Sequence, residues 1–88
     1  MELKDTVKLM NSDDYKDRFR AEYYQLWIRK EKLGLMLRNW KEGKLSFEPK
    51  CSYELLFEQL IYMNNYLIAL RERAQIEGVE VAMTAEEG

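Results

Sequence analysis

The sequence predicts an all-α fold, in which a short N-terminal helix precedes a long antiparallel hairpin of two helices that assembles into an oligomeric bundle. Two long stretches carry apolar residues at alternating steps of four and three, the spacing of helices that pack lengthwise. The first stretch runs from Phe19 to Trp40 and the second from Leu56 to Ala74. A second apolar stripe lies beside each repeat. Because one hairpin cannot cover both stripes, the sequence predicts self-association.

The N-terminal third of the chain predicts two helices. Residues 2–10 have apolar side chains at helical spacing, and a helix this short is stable only when it docks on another element. We predict the first long helix over residues 13–42, with Ser12 as its N-cap and Gly43 at its C-terminal end. Gly34 lies inside it, where glycine costs about 1 kcal/mol relative to alanine.

The second half of the hairpin begins with a connector. Residues 43–51 include the only proline of the chain and are predicted to form an ordered loop. The second long helix is predicted over residues 52–77, with Cys51 or Ser52 as its cap. Gly78 then supplies the left-handed conformation that ends many helices.

Residues 79–88 are predicted to form a tail. Val79, Val81 and Met83 alternate with polar or small residues, so we expect the tail to lie against the bundle before its last residues fray. No repeat, low-complexity tract or linker divides the sequence. Residues 1–88 are therefore expected to form a single helical-hairpin domain.

The length of the connector sets an approximate register for the hairpin. Facing positions of the two antiparallel helices are expected to have residue numbers that sum to about 93. One position away from the seam, this register brings Arg18 to Glu77 and Glu22 to Arg73. We therefore predict cross-helix ion pairs at the open end of the hairpin.

Composition excludes several classes of protein. The formal charge of −2, from 14 basic and 16 acidic residues, argues against binding to duplex nucleic acid, which requires a strongly basic face. Histidine is absent and Cys51 is the only cysteine, so neither an intrachain disulfide nor a standard zinc site is expected. We expect no cofactor. The sequence has no secretory signal and no apolar run long enough to span a membrane, which predicts a cytoplasmic protein.

Catalytic motifs are missing from the sequence. It contains no glycine-rich phosphate loop and no Ser/His/Asp or Cys/His combination, so we do not expect an enzyme. Cys51 lies near a predicted helix N-terminus, where the helix dipole favours a reactive thiolate. A capping or packed thiol is the favoured interpretation of this residue.

The surplus apolar residues predict an interface. They lie off the two seams and would remain uncovered in a lone hairpin, and exposed clusters of this size usually mark protein contacts. The predicted oligomer interface consists of Tyr24, Trp27, Ile28, Leu55 and Tyr62. A host protein is the other possible occupant of this surface.

Arginine and tyrosine residues suggest a second kind of surface. Arginine binds phosphate through a planar fork and tyrosine stacks on bases, so the combination suits a nucleotide. From the residues alone, structural ion pairs and interface contacts are the favoured interpretation.

The order of residues over 13–80 resembles a family of small helical-hairpin proteins encoded by tailed bacteriophages, including crAss-like phages. The resemblance rests on a loop pattern of Gly43, Leu45, Phe47, Pro49 and Cys51. It also rests on a polar set of Tyr15, Arg18, Glu22, Arg29, Gln59, Tyr66, Arg73 and Glu77. Ser52 departs from the pattern, which has proline there, and leaves the cap position uncertain.

The outline of this family is similar to that of the phage anti-CBASS sponge proteins, small helical oligomers that sequester cyclic oligonucleotide signals. The resemblance implies a counter-defence protein of the host cytoplasm that captures a cyclic-nucleotide immune signal without turnover. The ligand-binding residues that it implies are Tyr15, Arg18, Arg29, Tyr66 and Arg73. The alternative is an inhibitor or adaptor that docks on a host defence protein or a phage protein through an exposed Trp27 surface.

Overall fold

The computed structural model describes residues 1–82, and the regular elements among them are helices. A 3-10 turn over Leu3–Thr6 continues directly into the single α-helical turn α1, Val7–Met10. The two long helices are α2, Tyr15–Lys41, and α3, Tyr53–Glu77. The predicted all-α class is confirmed, with a short N-terminal helix ahead of two packed long helices.

The N-terminus of α2 differs from the prediction. Asp14 is the N-cap, because its carboxylate accepts a 2.9 Å hydrogen bond from the backbone N–H of Lys16. Ser12, the predicted cap, instead donates to the Asp17 carboxylate at 2.8 Å. A carboxylate is a stronger acceptor than a hydroxyl at the positive end of a helix, which explains why the aspartate takes the cap position.

The other helix ends follow the sequence closely. Gly43 and Gly78 have φ angles of +72° and +71°, the left-handed region in which glycine is favoured. After Gly78, the N–H of Val79 donates to the carbonyl of Ala74 at 2.8 Å, the bond expected of a Schellman motif. Of the two candidate caps for α3, Ser52 accepts the backbone hydrogen bond, at 3.1 Å.

Aromatic contacts fix how α2 and α3 face each other. At the closed end of the hairpin, the rings of Trp40 and Tyr53 meet edge to face with centroids 5.5 Å apart. Near the open end, the guanidinium carbon of Arg73 lies 5.1 Å from the ring centroid of Phe19. Both contacts have the spacing that the predicted antiparallel register requires.

The main core lies towards the open end of the hairpin. It consists of Phe19, Tyr23, Leu26, Trp27, Leu67, Leu70, Ala74, Val79 and Ala82. Helix α2 is covered by α3 and by both terminal segments, whereas α3 contributes only Leu67, Leu70 and Ala74 to the buried set. Most of the surface of α3 is therefore exposed.

The segment after α3 is held on α2 by three hydrogen bonds to its backbone. The hydroxyl of Tyr23 donates to the carbonyl of Ala82 at 2.9 Å, and the N–H of Ala82 donates to the hydroxyl of Tyr24 at 3.1 Å. The Nε of Arg20 donates to the carbonyl of Glu80 at 2.8 Å. The prediction that the tail lies against the bundle is confirmed for residues 79–82.

This segment changes the expected surface of α2. Trp27 is only 8% exposed, and Tyr24 and Ile28 are half-buried. The expectation that one chain leaves these three residues uncovered is wrong, because the terminal segments supply contacts that a bare hairpin would lack. Met83, also predicted to contact the bundle, lies outside the described residues.

The N-terminal segment docks on α2 through a buried threonine. The hydroxyl of Thr6 donates to the carbonyl of Leu3 at 2.7 Å and accepts from the side-chain amide of Gln25 at 2.9 Å. These bonds satisfy the hydroxyl of Thr6, which is fully buried. Over the same residues, no helix combines the length and apolar character needed to cross a membrane.

Candidate ligand-binding face

One flank of the hairpin combines tyrosine, arginine and glutamate side chains from both long helices. We call it the open face; it consists of Tyr15, Glu22, Tyr66, Arg73 and Glu77. It lies on the opposite side of α2 from Tyr24, which contacts residues 79–82. Residues 79–82 therefore do not cover the open face, and all five of its side chains are exposed.

At the open end of this face, two hydrogen-bond donors converge on one carboxylate. The hydroxyl of Tyr15 donates to Oε1 of Glu77 at 2.6 Å, and Nε of Arg73 donates to Oε2 at 3.0 Å. A second guanidinium nitrogen of Arg73 donates to the Tyr15 hydroxyl at 2.9 Å. The three side chains form a closed ring of hydrogen bonds between α2 and the last turns of α3.

These hydrogen bonds shift the pKa values of Tyr15, Arg73 and Glu77. The hydrogen bond from Tyr15 is the largest cause that lowers the pKa of Glu77, followed by the hydrogen bond from Arg73. The pKa of Tyr15 is raised, chiefly because its hydroxyl donates to Glu77. The pKa of Arg73 is also raised, chiefly by its own hydrogen bond to Glu77. At neutral pH the ring therefore holds an ionised glutamate, a neutral tyrosine and an arginine cation.

An aromatic side chain of the core, Phe19, packs against both hydrogen-bond donors, Tyr15 and Arg73. Phe19 is buried, and the guanidinium of Arg73 lies above its ring at the distance of a cation–π contact. The ring of Tyr15 lies 6.3 Å from that of Phe19 with an interplanar angle of 60°. Both donors are thus positioned by the same rigid core residue.

Two turns further along α2, Glu22 accepts a hydrogen bond from the hydroxyl of Tyr66. The ring of Tyr66 is half exposed. Tyr66 and Arg73 are seven residues apart on α3, which places them on the same side of that helix. Three of the five predicted ligand-binding residues, Tyr15, Tyr66 and Arg73, therefore share one face.

The other two predicted ligand-binding residues, Arg18 and Arg29, lie on the same flank of α2 but outside this hydrogen-bonded group. Arg18 donates to the backbone carbonyl of Ser12 at 2.8 Å and so holds the connection between α1 and α2. Arg29 is exposed and has neither a hydrogen-bond nor an ion-pair partner among residues 1–82. With these two arginines included, cations outnumber carboxylates on this flank by one.

The predicted cross-helix ion pairs do not form. Arg18 was expected to reach Glu77, which instead pairs with Arg73 four residues before it on the same helix. Glu22 was expected to reach Arg73, but its partner is Tyr66. Sequence reasoning therefore missed Glu22 and Glu77 as acceptors for tyrosine hydroxyls, although the Arg73–Glu77 spacing is a familiar helical pair.

Tyrosine and arginine on the opposite flank have a structural role. The Nε of Arg71 donates to the hydroxyl of Tyr23 at 3.0 Å, and its guanidinium carbon lies 5.6 Å from the Trp27 ring centroid. Tyr23 is fully buried and also donates to the backbone of residue 82. Tyr23 and Arg71 are buried or half-buried within the chain, whereas the five side chains of the open face are exposed.

The predicted interface residues on α3 are exposed. Leu55 is 55% exposed and Tyr62 is 62% exposed, so α3 carries the apolar surface that the sequence assigned to both helices. The hydroxyl of Tyr62 donates to Glu58 at 2.7 Å, which raises the pKa of Tyr62. The assignment of these residues to an oligomer interface stays a prediction.

The closed end of the hairpin has an open groove of about 300 Å³, lined by α2 and the connector. It contains none of the predicted ligand-binding residues, and Lys44 on its rim pairs with Glu42 at 3.5 Å. Cys51 is exposed nearby in the chain. Within residues 1–82, no three cysteine, aspartate or glutamate residues are grouped so that they could hold a metal ion.

Comparison with protein-family models matches residues 13–76 to the model described as Sequestin. The matched stretch makes up well over half of the chain and spans both long helices and their connector. Neither the curated proteins nor the solved structures contain a match.

Proposed function

The chain belongs to the Sequestin family, and from that premise we propose that it captures a small anionic signal molecule and holds it without turnover. The name of the family indicates sequestration. The ligand that we propose is a cyclic nucleotide used by a bacterial host as an immune signal. In this role the protein would serve a phage as a counter-defence protein in the host cytoplasm.

The observation that carries this proposal is the convergence of Tyr15 and Arg73 on one carboxylate. An O–H and an N–H donor, 2.6 and 3.0 Å from the two oxygens of Glu77, form an arrangement that suits any anion with two adjacent oxygens. A phosphate presents such a pair, and arginine binds it in the same forked geometry. Glu77 therefore occupies the position that we assign to a phosphate of the ligand.

A ligand phosphate can replace Glu77 at little cost. The side chains of Arg73 and Glu77 are 49% and 32% exposed, and an ion pair this accessible contributes little to stability because water solvates both partners. Glu77 lies in the last turn of α3, from which its side chain can turn into solvent. The phosphate would then gain the two donors that this carboxylate releases.

Exposed aromatic rings provide the second half of the proposed recognition. Tyr15 and Tyr66 are each about half exposed, and an aromatic ring stacks on any nucleobase with a contribution of about 1–3 kcal/mol per base. Arg18 and Arg29 add positive charge along the same flank of α2 and would attract a ligand with two or more phosphates. This set suits a nucleotide better than a simple inorganic anion.

Binding without catalysis is consistent with the ionisation of the open face. The pKa of Glu77 is lowered, so the carboxylate is charged and already accepts two hydrogen bonds at neutral pH. General acid–base catalysis requires a group whose pKa lies near the working pH. We therefore propose that release of the ligand, and not its conversion, ends each binding event.

The alternative function, docking on a protein through an exposed Trp27 surface, lacks its main requirement. Trp27 is only 8% exposed and contacts the cation of Arg71. A hot-spot tryptophan must be accessible before binding so that the partner can bury it. We therefore favour capture of a small molecule.

The proposal is tested by thermal-shift measurements with a panel of cyclic dinucleotides, cyclic trinucleotides and cyclic ADP-ribose isomers. Linear dinucleotides and inorganic phosphate serve as controls for charge alone. We expect at least one cyclic ligand to raise the melting temperature in proportion to the logarithm of its concentration. Chromatography of the ligand after denaturation of the complex should recover it intact. A panel without any stabilising member, or recovery of a cleaved ligand, would contradict the proposal.

A further inference from the structure

Glu22 is a member of the open face that neither phosphate binding nor base stacking uses. Its side chain is exposed, and its Oε2 atom accepts the hydrogen bond from the hydroxyl of Tyr66. Within residues 1–82, Oε1 of Glu22 accepts no hydrogen bond and the carboxylate makes no ion pair. A carboxylate oxygen without a partner in the chain is available to a hydrogen-bond donor of a ligand.

We propose that Glu22 accepts a hydrogen bond from a ribose hydroxyl of the captured nucleotide, and that the open face thereby selects ribonucleotides over deoxyribonucleotides. This sugar contact rests on the proposed function, because it adds a specificity-determining residue to the same site. It narrows the ligand class from anions that carry a base to nucleotides that carry a free ribose hydroxyl.

The position of Glu22 along the hairpin matches the place of a ribose. Tyr66 and Arg73, the proposed base and phosphate contacts on α3, are seven residues apart, or about 10 Å along the helix axis. The Nε of Arg71 donates to the hydroxyl of Tyr23 at 3.0 Å, so this part of α2 faces α3 at a level between these two contacts. Glu22 immediately precedes Tyr23. Since the sugar of a nucleotide lies between its base and its phosphate, the ribose would lie at the level of Glu22.

The hydrogen bond that Glu22 already makes favours a single donor group on the ligand. Tyr66 donates to Oε2, which leaves Oε1 for the ligand. The edge of a guanine base presents two adjacent N–H donors and is bound best by both oxygens of a carboxylate, whereas a ribose hydroxyl presents one O–H. Dinucleotide-binding folds likewise bind a ribose hydroxyl through one acidic side chain.

The Tyr66 hydroxyl also restricts the conformations of the Glu22 side chain. Glu22 lies in the interior of α2, and its carboxylate is tied to α3 by this hydrogen bond. An acceptor that is held in place before the ligand arrives loses less conformational entropy on binding. The carboxylate is therefore positioned for a hydroxyl that a stacked nucleotide brings to it.

Charge and exposure set the size of the expected selectivity. A hydroxyl that donates to a carboxylate makes a charge-assisted hydrogen bond, which is stronger than a neutral one. Water can solvate the exposed Glu22 when the hydroxyl is missing, so the penalty is smaller than in a buried site. We expect a preference for the ribonucleotide of roughly 10-fold in the dissociation constant.

The sugar contact is tested by titration calorimetry with three pairs of compounds. They are 3′,3′-cyclic di-AMP, cyclic tri-AMP and cyclic ADP-ribose, each beside the analogue that lacks its 2′-hydroxyl groups. We expect the wild type to bind at least one ribonucleotide more tightly than its deoxy analogue. In Glu22→Ala the ratio of the two dissociation constants should fall to near one. In Glu22→Gln, whose amide oxygen still accepts, part of the ratio should return.

Glu31→Ala is the matched control. Glu31 lies nine residues after Glu22 in α2, which places it on the opposite side of the helix. It also accepts a hydrogen bond from an aromatic side chain, since Nε1 of Trp27 donates to it at 3.3 Å. We expect the wild-type ratio for this variant. Circular dichroism establishes that the variants remain helical.

Three results would overturn the sugar contact, and they differ in what they leave of the proposed function. Equal affinity of the wild type for both members of each pair that binds would remove the contact and leave ligand capture intact. A ratio that survives Glu22→Ala would assign the selectivity to another residue. Absence of binding by all six compounds would remove both the contact and the capture of such nucleotides.

Discussion

The hydroxyl of Tyr23 donates a 2.9 Å hydrogen bond to the carbonyl of Ala82, which joins the middle of α2 to a segment 59 residues later in the chain. The same hydroxyl accepts a 3.0 Å hydrogen bond from Arg71 on α3. Tyr23 is fully buried, so neither bond can be replaced by water. One side chain therefore connects both long helices and the C-terminal segment.

Tyr23→Phe should destabilise the protein by about 1–2 kcal/mol, because it leaves the carbonyl of Ala82 and the Nε of Arg71 without their partner. Urea denaturation followed by circular dichroism measures the change. Tyr53→Phe is the matched control, since the Tyr53 ring packs against Trp40 while its hydroxyl has no hydrogen bond within residues 1–82. Equal losses for the two variants would show that the Tyr23 hydroxyl contributes nothing specific.

Truncation after Gly78 should expose Trp27. The truncation removes Val79 and Ala82 from the core and the two backbone bonds to Tyr23 and Tyr24. In a Trp40→Phe background, the fluorescence of Trp27 should shift to longer wavelength and become more accessible to quenching by iodide. An unchanged emission maximum in a folded truncated protein would mean that residues 79–82 do not shield Trp27 in solution.

Alanine at two glycines should change stability in opposite directions. Gly78→Ala forces a residue with a side chain into the left-handed conformation, and it should destabilise the protein by about 1 kcal/mol. Gly34→Ala should stabilise it by about 0.5–1 kcal/mol, since Gly34 lies inside α2 and an added Cβ would meet Leu60 at an ordinary distance of 3.9 Å. Thermal denaturation measures both. Two changes of the same sign would contradict the assigned helix end.

The contribution of the Tyr15–Glu77 hydrogen bond to stability should depend on pH at both extremes. The pKa of Glu77 is lowered by its hydrogen bonds, so its contribution is present above the ordinary glutamate pKa and is lost as the pH falls through the lowered pKa. The pKa of Tyr15 is raised, so its contribution is present below the ordinary tyrosine pKa and is lost as the pH rises through the raised value.

The measurement is the difference in unfolding free energy between the wild type and Tyr15→Phe across the pH range. This difference should be constant around neutral pH and should shrink in strong acid and in strong base. Tyr53→Phe serves as the control for loss of a tyrosine hydroxyl, because the Tyr53 hydroxyl has no hydrogen bond within residues 1–82. A difference that does not vary with pH would show that the Tyr15–Glu77 bond does not form in solution.

Helical periodicity and terminal chemistry predict the framework of this protein. The repeat of four and three residues specifies which sides of α2 and α3 meet, and the contact of Trp40 with Tyr53 has the expected register. Gly78 and Val79 end α3 as their residue types indicate, because the left-handed conformation and the apolar contact are local requirements. Features that depend on a few neighbouring residues were therefore predictable.

Features that depend on distant segments or on weak competing partners were not predictable. Trp27 is off the seam of α2, and its burial depends on residues 79–82, whose path periodicity does not specify. Glu77 had both Arg18 and Arg73 within reach, and exposed ion pairs differ too little in energy for the sequence to select between them. The sequence named Tyr15, Tyr66 and Arg73 of the open face but not the two carboxylates that accept their hydrogen bonds, Glu22 and Glu77.

The most direct test of ligand capture is titration calorimetry of Arg73→Ala with whichever cyclic nucleotide stabilises the wild type. Arg73 is the cation at the centre of the hydrogen-bonded ring, so its loss should weaken binding by about 10-fold or more. Arg38→Ala is the matched control, since this arginine lies in the last turn of α2, far from the open face. The account predicts a large loss for the first variant and wild-type affinity for the second. Equal affinity of both variants and the wild type would contradict it.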